Sequence, residues 1–181
     1  MKKIYLSVFT VLSFYFVSAQ TEQGNWLVGG NFNLSTVSNN TSIGLNPTAG
    51  YFVMNNLAVG GTVTLMYDKL GENSSTTFGL GPMVRYYFGK SNIRPFVDGE
   101  MSFISEKFKY PGGTNTENGV GYFLGMGLAL FLNENVALET LAGYTHTNIS
   151  EGSKDGGFAM RIGFQVYLNS RRSVENLRNT D

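Results

Sequence analysis

The chain has 181 residues, with 13 Lys and Arg, 13 Asp and Glu, a single His and no Cys. That length fits one domain, the balanced charge offers no basic field to nucleic acid, and the missing thiols exclude disulfide staples and thiolate zinc sites. Aromatic residues at 14%, charged residues at 14% and 23 Gly against 4 Pro point to strands that meet water over only part of their surface.

The first segment carries its own signature. Met1-Lys2-Lys3 is a positive start, Ile4 to Val17 an apolar core, and Val17-Ser18-Ala19 a small-residue step before Gln20, the pattern of a cleaved secretory signal peptide over residues 1–19. A core of about 14 residues is short for a hydrocarbon layer roughly 30 Å thick, so a transmembrane helix is not expected here. Gln at position 20, where a lipoprotein would carry Cys, gives no lipid anchor. Loss of Lys2 and Lys3 leaves 11 basic and 13 acidic residues, a net charge of −2.

Beyond Gln20 the apolar residues recur with period two. Trp26, Val28, Gly30, Phe32 and Leu34 share one face of a first strand, and Ile43, Leu45, Pro47, Ala49, Tyr51 and Val53 one face of a second. Leu57 to Tyr67, Phe78 to Phe88, Ile93 to Phe103, Val120 to Leu132, Val136 to Tyr144 and Phe158 to Leu168 repeat the sorting. The result is eight strands of about ten to twelve residues, long enough to cross a bilayer when tilted.

Connection lengths alternate. Met54-Asn55-Asn56, Gly89 to Asn92 and Asn133-Glu134-Asn135 are tight turns, rich in residues that tolerate positive φ. The connections near residues 36–42, 68–76, 106–118 and 148–156 are expected to be longer polar loops. Short turns at one end and long loops at the other describe a meander whose ends face different compartments.

Charge decides which face meets lipid. Arg85, Arg94, Asp98, Glu100, Glu139 and Arg161 all fall on the small or polar face of their strands. An Arg or Lys on a lipid face would cost about 2 to 4 kcal/mol at the midplane, so the charged face is expected to line a lumen. Trp26, Tyr51, Tyr86 and Phe88 near the short turns, and Tyr67, Phe78, Phe103, Tyr122, Tyr144 and Phe158 near the loops, supply two aromatic girdles. A soluble lipocalin-like carrier would turn its apolar face inward, and its outer face would not combine so many Gly with so few Lys and Glu.

From about residue 24 to residue 168 the chain resembles the small eight-stranded outer-membrane β-barrel family, also described as porin-like or outer-membrane protein β-barrel domain. Arg161, Gly163, Val166 and Leu168 look like that family's assembly signal on the last strand, which the barrel assembly machinery reads. Here the signal is followed by the tail "NSRRSVENLRNTD". The resemblance implies an all-β, eight-stranded antiparallel up-and-down transmembrane β-barrel over residues 20–168. It also implies outer-membrane lipid around the barrel, both chain ends in the periplasm and a periplasmic tail over residues 169–181.

Three inward cations balance three inward anions, and pairing inside a filled lumen is the expectation, since eight strands leave an interior that side chains can fill. The role expected is structural, or surface interaction through the outer loops, by a monomer with loop ligands undefined. A narrow porin for small solutes is the alternative. His146 lies near Ser150 and Glu151 but in no strand motif for lipid hydrolysis, so no enzyme is expected. "GVGYFLGMG" sits within one strand and opens no helix, unlike a dinucleotide fingerprint. No cofactor or metal is expected.

Overall fold

Alternation of this kind gives each strand one apolar and one mixed face, and the structure arranges them around a closed cylinder. The structure is a computed structural model and describes residues 20–37, 40–149 and 154–169. The expected signal peptide, Ser150, Glu151 and all but the first residue of the tail lie outside the described residues.

The strands are β1 (Trp26–Val37), β2 (Asn40–Met54), β3 (Leu57–Leu70), β4 (Asn73–Tyr87), β5 (Ile93–Tyr110), β6 (Gly113–Phe131), β7 (Val136–Ile149) and β8 (Lys154–Leu168). Each pairs antiparallel with the next, and β8 pairs with β1 to close the barrel. Closure leaves no sheet edge in lipid, where an unpaired backbone group costs several kcal/mol.

The faces fall as the period predicts. On β4 the even residues from Phe78 to Tyr86 are exposed, while Met83, Arg85 and Tyr87 are buried. Outward Leu124, Met126, Phe158 and Met160 are each about 70–90% exposed, whereas inward Leu27, Phe52, Phe96 and Tyr167 are essentially sealed. A band of this breadth is the lipid face of a barrel. At its periplasmic rim Trp26 meets Tyr51 edge to face at 5.2 Å, and Tyr86 meets Phe88 at 4.9 Å. The β2–β3 turn closes on Asn56, the described non-glycine residue with positive φ, at 68°.

The loop expectation requires correction. Residues 68–70 and 73–76 belong to β3 and β4, which stay in register to Leu70↔Asn73 around a turn at Gly71, where φ is +59°. Residues 106–110 and 113–118 belong to β5 and β6, paired to Tyr110↔Gly113. Likewise β1 and β2 pair to Val37↔Asn40, and β7 and β8 to Asn148↔Lys154. Among the described residues the expected loops are strand continuations, while residues 38–39 and 150–153 lie outside them. Above the membrane both faces of a strand meet water, so apolar alternation disappears while the backbone ladder persists. At 18 and 19 residues, β5 and β6 exceed the roughly 9 to 11 that a tilted strand needs to cross, and the excess projects beyond the outer girdle.

One ladder is shorter. β1 and β8 pair from Trp26↔Leu168 only to Phe32↔Ile162. Residues 33–37 of β1 pair with β2 alone, and residues 154–161 of β8 with β7 alone.

Depth dependence follows from this geometry. Met126→Arg, at the centre of the outward face of β6, should destabilise the barrel by about 2 to 4 kcal/mol. Thr116→Arg, on the same face but in the projecting part, should change stability by less than about 1 kcal/mol. Urea titration of barrels refolded into lipid vesicles measures both; equal losses would contradict the assigned membrane band.

Candidate functional site: a half-sealed lumen

The inward face contains more than charges and small residues. Leu27, Phe52, Met83, Tyr87, Phe96, Phe123, Phe131, Leu141 and Tyr167 form one buried cluster inside the barrel. Every one of them lies opposite the lipid-facing residues of its strand, and together they fill the periplasmic half.

Arg85 is threaded through this cluster. Arg85 and Asp98 stand opposite each other on β4 and β5, and Arg85 Nε donates to Asp98 Oδ2. Its Nη1 reaches across the lumen to Glu139 Oε2 on β7 at 2.7 Å. Glu139 Oε1 lies 3.0 Å from the Tyr87 hydroxyl and 2.9 Å from the Tyr167 hydroxyl, and the two hydroxyls are 2.9 Å apart. The guanidinium also sits 4.7 Å from the centroid of Phe96, a cation–π contact strengthened by desolvation. Four strands, β4, β5, β7 and β8, are thus tied at one level by a charged knot whose members are all 0–1% exposed.

The other cations have separate partners. Arg161 on β8 crosses to Glu100 on β5, with Nη1 at 3.0 and 2.9 Å from the two carboxylate oxygens, and lies 3.9 Å from the centroid of Phe123. Arg94 donates to Gln20 Oε1 at 2.8 Å, Thr21 Oγ1 at 2.7 Å and the Ser91 carbonyl at 3.0 Å, and packs on Phe131 at 4.6 Å. Arg85 serves two carboxylates and Arg161 one, while Arg94 anchors the segment that precedes β1.

That segment caps the periplasmic end. Thr21 accepts from Arg94 and donates to Asn56 Oδ1 at 2.6 Å, the Asn56 backbone N–H donates to the Thr21 carbonyl at 2.7 Å, and Gln23 N–H donates to Asn55 Oδ1 at 2.9 Å. Sequence reasoning missed this cap, because neutral Gln and Thr carry no signal until a buried Arg is seen to need them.

Above the Arg161–Glu100 pair the lumen opens into a vestibule of about 760 Å³, with Phe123 at its floor and Asn46, Thr64, Thr77 and Ser102 on its walls. Glu106 lines it above the outer girdle. Burial raises the Glu106 carboxyl above its usual range, Asp68 and Glu117 add to the rise, and a hydrogen bond from Ser75 opposes it. His146 stands on β7 between Tyr122 and Gly156 of the neighbouring strands. No group of metal-ligating side chains occurs among the described residues.

The β8 residues of the expected assembly signal divide between faces. Val166 and Leu168 point outward, while Arg161 and Gly163 point inward. Gly163 faces the β1 backbone so closely that a Cβ would stand 2.2 Å from the Gly30 carbonyl oxygen. Its lack of a side chain is needed for β1 and β8 to meet.

A closed eight-stranded meander, apolar outside and charged within, is matched by the family described as outer membrane protein beta-barrel domain over residues 6–171. The chain belongs to that family. Among solved structures it is similar to Neisserial surface protein A, at 17% identity and a TM-score of 0.59, covering 78% of this chain and 94% of that one. It is also similar to OprG from Pseudomonas aeruginosa, at 13% identity and a TM-score of 0.53, covering 84% and 100%. Ail of Yersinia pestis gives 12% identity and a TM-score of 0.52, covering 81% and 99%. At these identities the likeness concerns the fold alone. No curated protein matches the chain. As an outer-membrane barrel, the protein presents its apolar band to lipid and its charged face to the lumen.

Stoichiometry within the knot sets a rank order. Arg85→Met leaves two buried carboxylates without their shared cation and should cost about 3 to 5 kcal/mol. Glu139→Gln leaves Arg85 and Asp98 paired one to one and should cost clearly less. Urea unfolding in vesicles reads the difference; a larger loss for Glu139→Gln would refute the assignment of Arg85 as the hub.

Proposed function

We propose that the protein acts at the cell surface through its projecting hairpins, on a barrel whose lumen does not serve permeation. The observation that carries this reading is the Arg85–Asp98–Glu139 knot with Tyr87 and Tyr167, buried at one level across the lumen in the periplasmic half. Ordered buried networks of this kind are rigid, since each member loses its partner if one moves. A route for solute would have to break several at once.

Supporting the surface reading, the projecting parts of β3–β4 and β5–β6 are rich in Ser, Thr, Asn, Lys and Glu, and they end in two-residue turns at Gly71-Glu72 and Pro111-Gly112. Paired strands hold such side chains at fixed spacing, which suits recognition better than an unordered loop does. Two of the similar structures are named a surface protein and an attachment invasion locus protein. The loop ligand of this chain is left undefined.

The same reading includes export with removal of residues 1–19 and delivery to the barrel assembly machinery through Arg161, Gly163, Val166 and Leu168. The barrel works as a monomer with residues 169–181 in the periplasm. It assigns no catalysis to His146.

Planar-bilayer recording tests the closed lumen. The parent should show no stable, sizeable conductance, whereas Tyr87→Ala combined with Tyr167→Ala should; steady conductance from the parent would move the reading to a narrow porin. Orientation is separately testable because the chain lacks Cys. On intact cells a membrane-impermeant maleimide should label Gly112→Cys and spare Lys90→Cys, and the reverse pattern would invert the barrel.

A further inference from the structure

The segment that closes the periplasmic end begins with a side chain only half of which has a use. Gln20 is 2% exposed, and its Oε1 accepts from Arg94 Nη2 at 2.8 Å. Its backbone carbonyl accepts from Asn25 Nδ2 at 3.3 Å, and Thr21 Oγ1 beside it accepts from Arg94 Nη1 at 2.7 Å. The other end of the Gln20 amide, Nε2, is buried without a hydrogen-bond partner. A guanidinium carries donors only, so the amide must turn its oxygen to Arg94, and its NH2 group is what remains. Buried donors left over in this way are costly and uncommon.

The place of Gln20 in the chain supplies a reason for it. Gln20 directly follows Val17-Ser18-Ala19, the step at which residues 1–19 are proposed to be removed. Cleavage there makes Gln20 the first residue and gives it an α-amino group, which is largely cationic near neutral pH. That cation would stand one glutamine side chain away from the Arg94 guanidinium, itself 1% exposed and packed on Phe131 at 4.6 Å. Like charges repel most strongly where water is excluded. The uncyclised residue thus brings two groups that the site does not serve, an ammonium beside a guanidinium and an unpartnered NH2. One reaction removes both.

We propose that residue 20 is carried as pyroglutamate, and that this lactam is the form that occupies the Arg94 site. The unprotonated α-nitrogen attacks Cδ of its own side chain. A bond from that nitrogen to Cδ forms, the Cδ–Nε2 bond breaks, and Nε2 leaves as ammonia with a proton from the α-nitrogen. Nothing is oxidised or reduced, and no second reactant is consumed. Oε1 stays on Cδ as the lactam carbonyl, so Arg94 keeps its acceptor, and the backbone carbonyl stays available to Asn25. The ring also fixes torsions that an open side chain would lose on seating. Closure precedes docking of the cap, since the docked residue is sealed from any enzyme. The inference rests on cleavage after Ala19 and is independent of the closed lumen and the hairpins.

The test begins with protein extracted from the outer membranes of cells that make it, its N-terminal peptide sequenced by tandem mass spectrometry. The peptide should start at residue 20, be lighter by one ammonia than the encoded sequence, and resist Edman degradation until pyroglutamyl aminopeptidase removes its first residue. A peptide starting at unmodified Gln20 would overturn the proposal while upholding the cleavage site. A peptide starting elsewhere would show that the cleavage reading failed and would take the proposal with it. The role in the cap is read by hydrogen exchange on two refolded barrels, one from the chain beginning at intact Gln20 and one from the same chain treated with glutaminyl cyclase. The Asn56 N–H, which donates to the Thr21 carbonyl at 2.7 Å, should exchange about tenfold more slowly in the cyclised barrel. The Leu132 N–H, bonded to the Val136 carbonyl at 2.9 Å in another turn, should exchange alike in both. Equal exchange at Asn56, or a change that Leu132 shares, would overturn the assignment of the lactam to the Arg94 site.

Discussion

Everything in this molecule depends on one requirement: in hydrocarbon, a strand's N–H and C=O groups can be satisfied only by neighbouring strands. Closure of β8 onto β1 meets it, and closure then fixes what side chains can do. Outward residues must be apolar, since no partner awaits them. Inward residues share a cylinder too narrow for bulk water, so they must pack or pair with one another. The distribution of charge is therefore a consequence of the backbone, and Arg85, Asp98 and Glu139 lie inside because nothing outside could hold them.

Within the cylinder the two halves solve the packing problem differently. The periplasmic half is filled by aromatic side chains from several strands, with Phe52 near Tyr87 and Tyr167 at ring separations of 6.0 and 6.2 Å. Among rings so placed, the charges have no water and need direct partners, which explains why Arg85 has two carboxylates and a ring face. The outer half has Ser, Thr and Asn at the corresponding positions, and there the lumen stays open as the vestibule. Arg161 and Glu100 stand at the boundary, with side chains 13% and 4% exposed. The seal belongs to the periplasmic side, and the Gln20–Asn25 cap held by Arg94 reinforces it.

How far the sequence could be read follows from the same physics. Period two identified the membrane-facing residues because lipid favours apolarity on one face, with Thr140 on β7 as a polar exception. It also placed Phe52, Tyr87, Phe96, Phe123 and Tyr167 on the charged face, yet their filling role was not drawn from it, because an aromatic ring on a mixed face gives no indication of its neighbours across the lumen. Arg85 and Asp98 were within reach, being directly opposed on adjacent strands. Glu139 was not, since a cross-lumen contact depends on barrel curvature and strand stagger. Strand length was underestimated for a different reason. Beyond the outer girdle, residues such as Ser74, Lys107 and Thr116 experience water on both faces, so the ladder continues where the pattern ends.

The β1–β8 seam brings these threads together. Seven junctions of the barrel join strands that are consecutive in sequence, and their pairing runs close to the strand ends, with one register shift at Phe52/Met54 of β2. The eighth joins the chain's first and last strands with no turn to hold it, so its extent depends on packing alone. Gly29 and Gly163 let the two backbones approach closely in the lower part, where a Cβ on Gly29 would stand 2.1 Å from the Phe164 carbonyl oxygen. Higher up, bulkier Phe32 and Ile162 mark the last pair. Past them β1 pairs with β2 alone and β8 with β7 alone among the described residues.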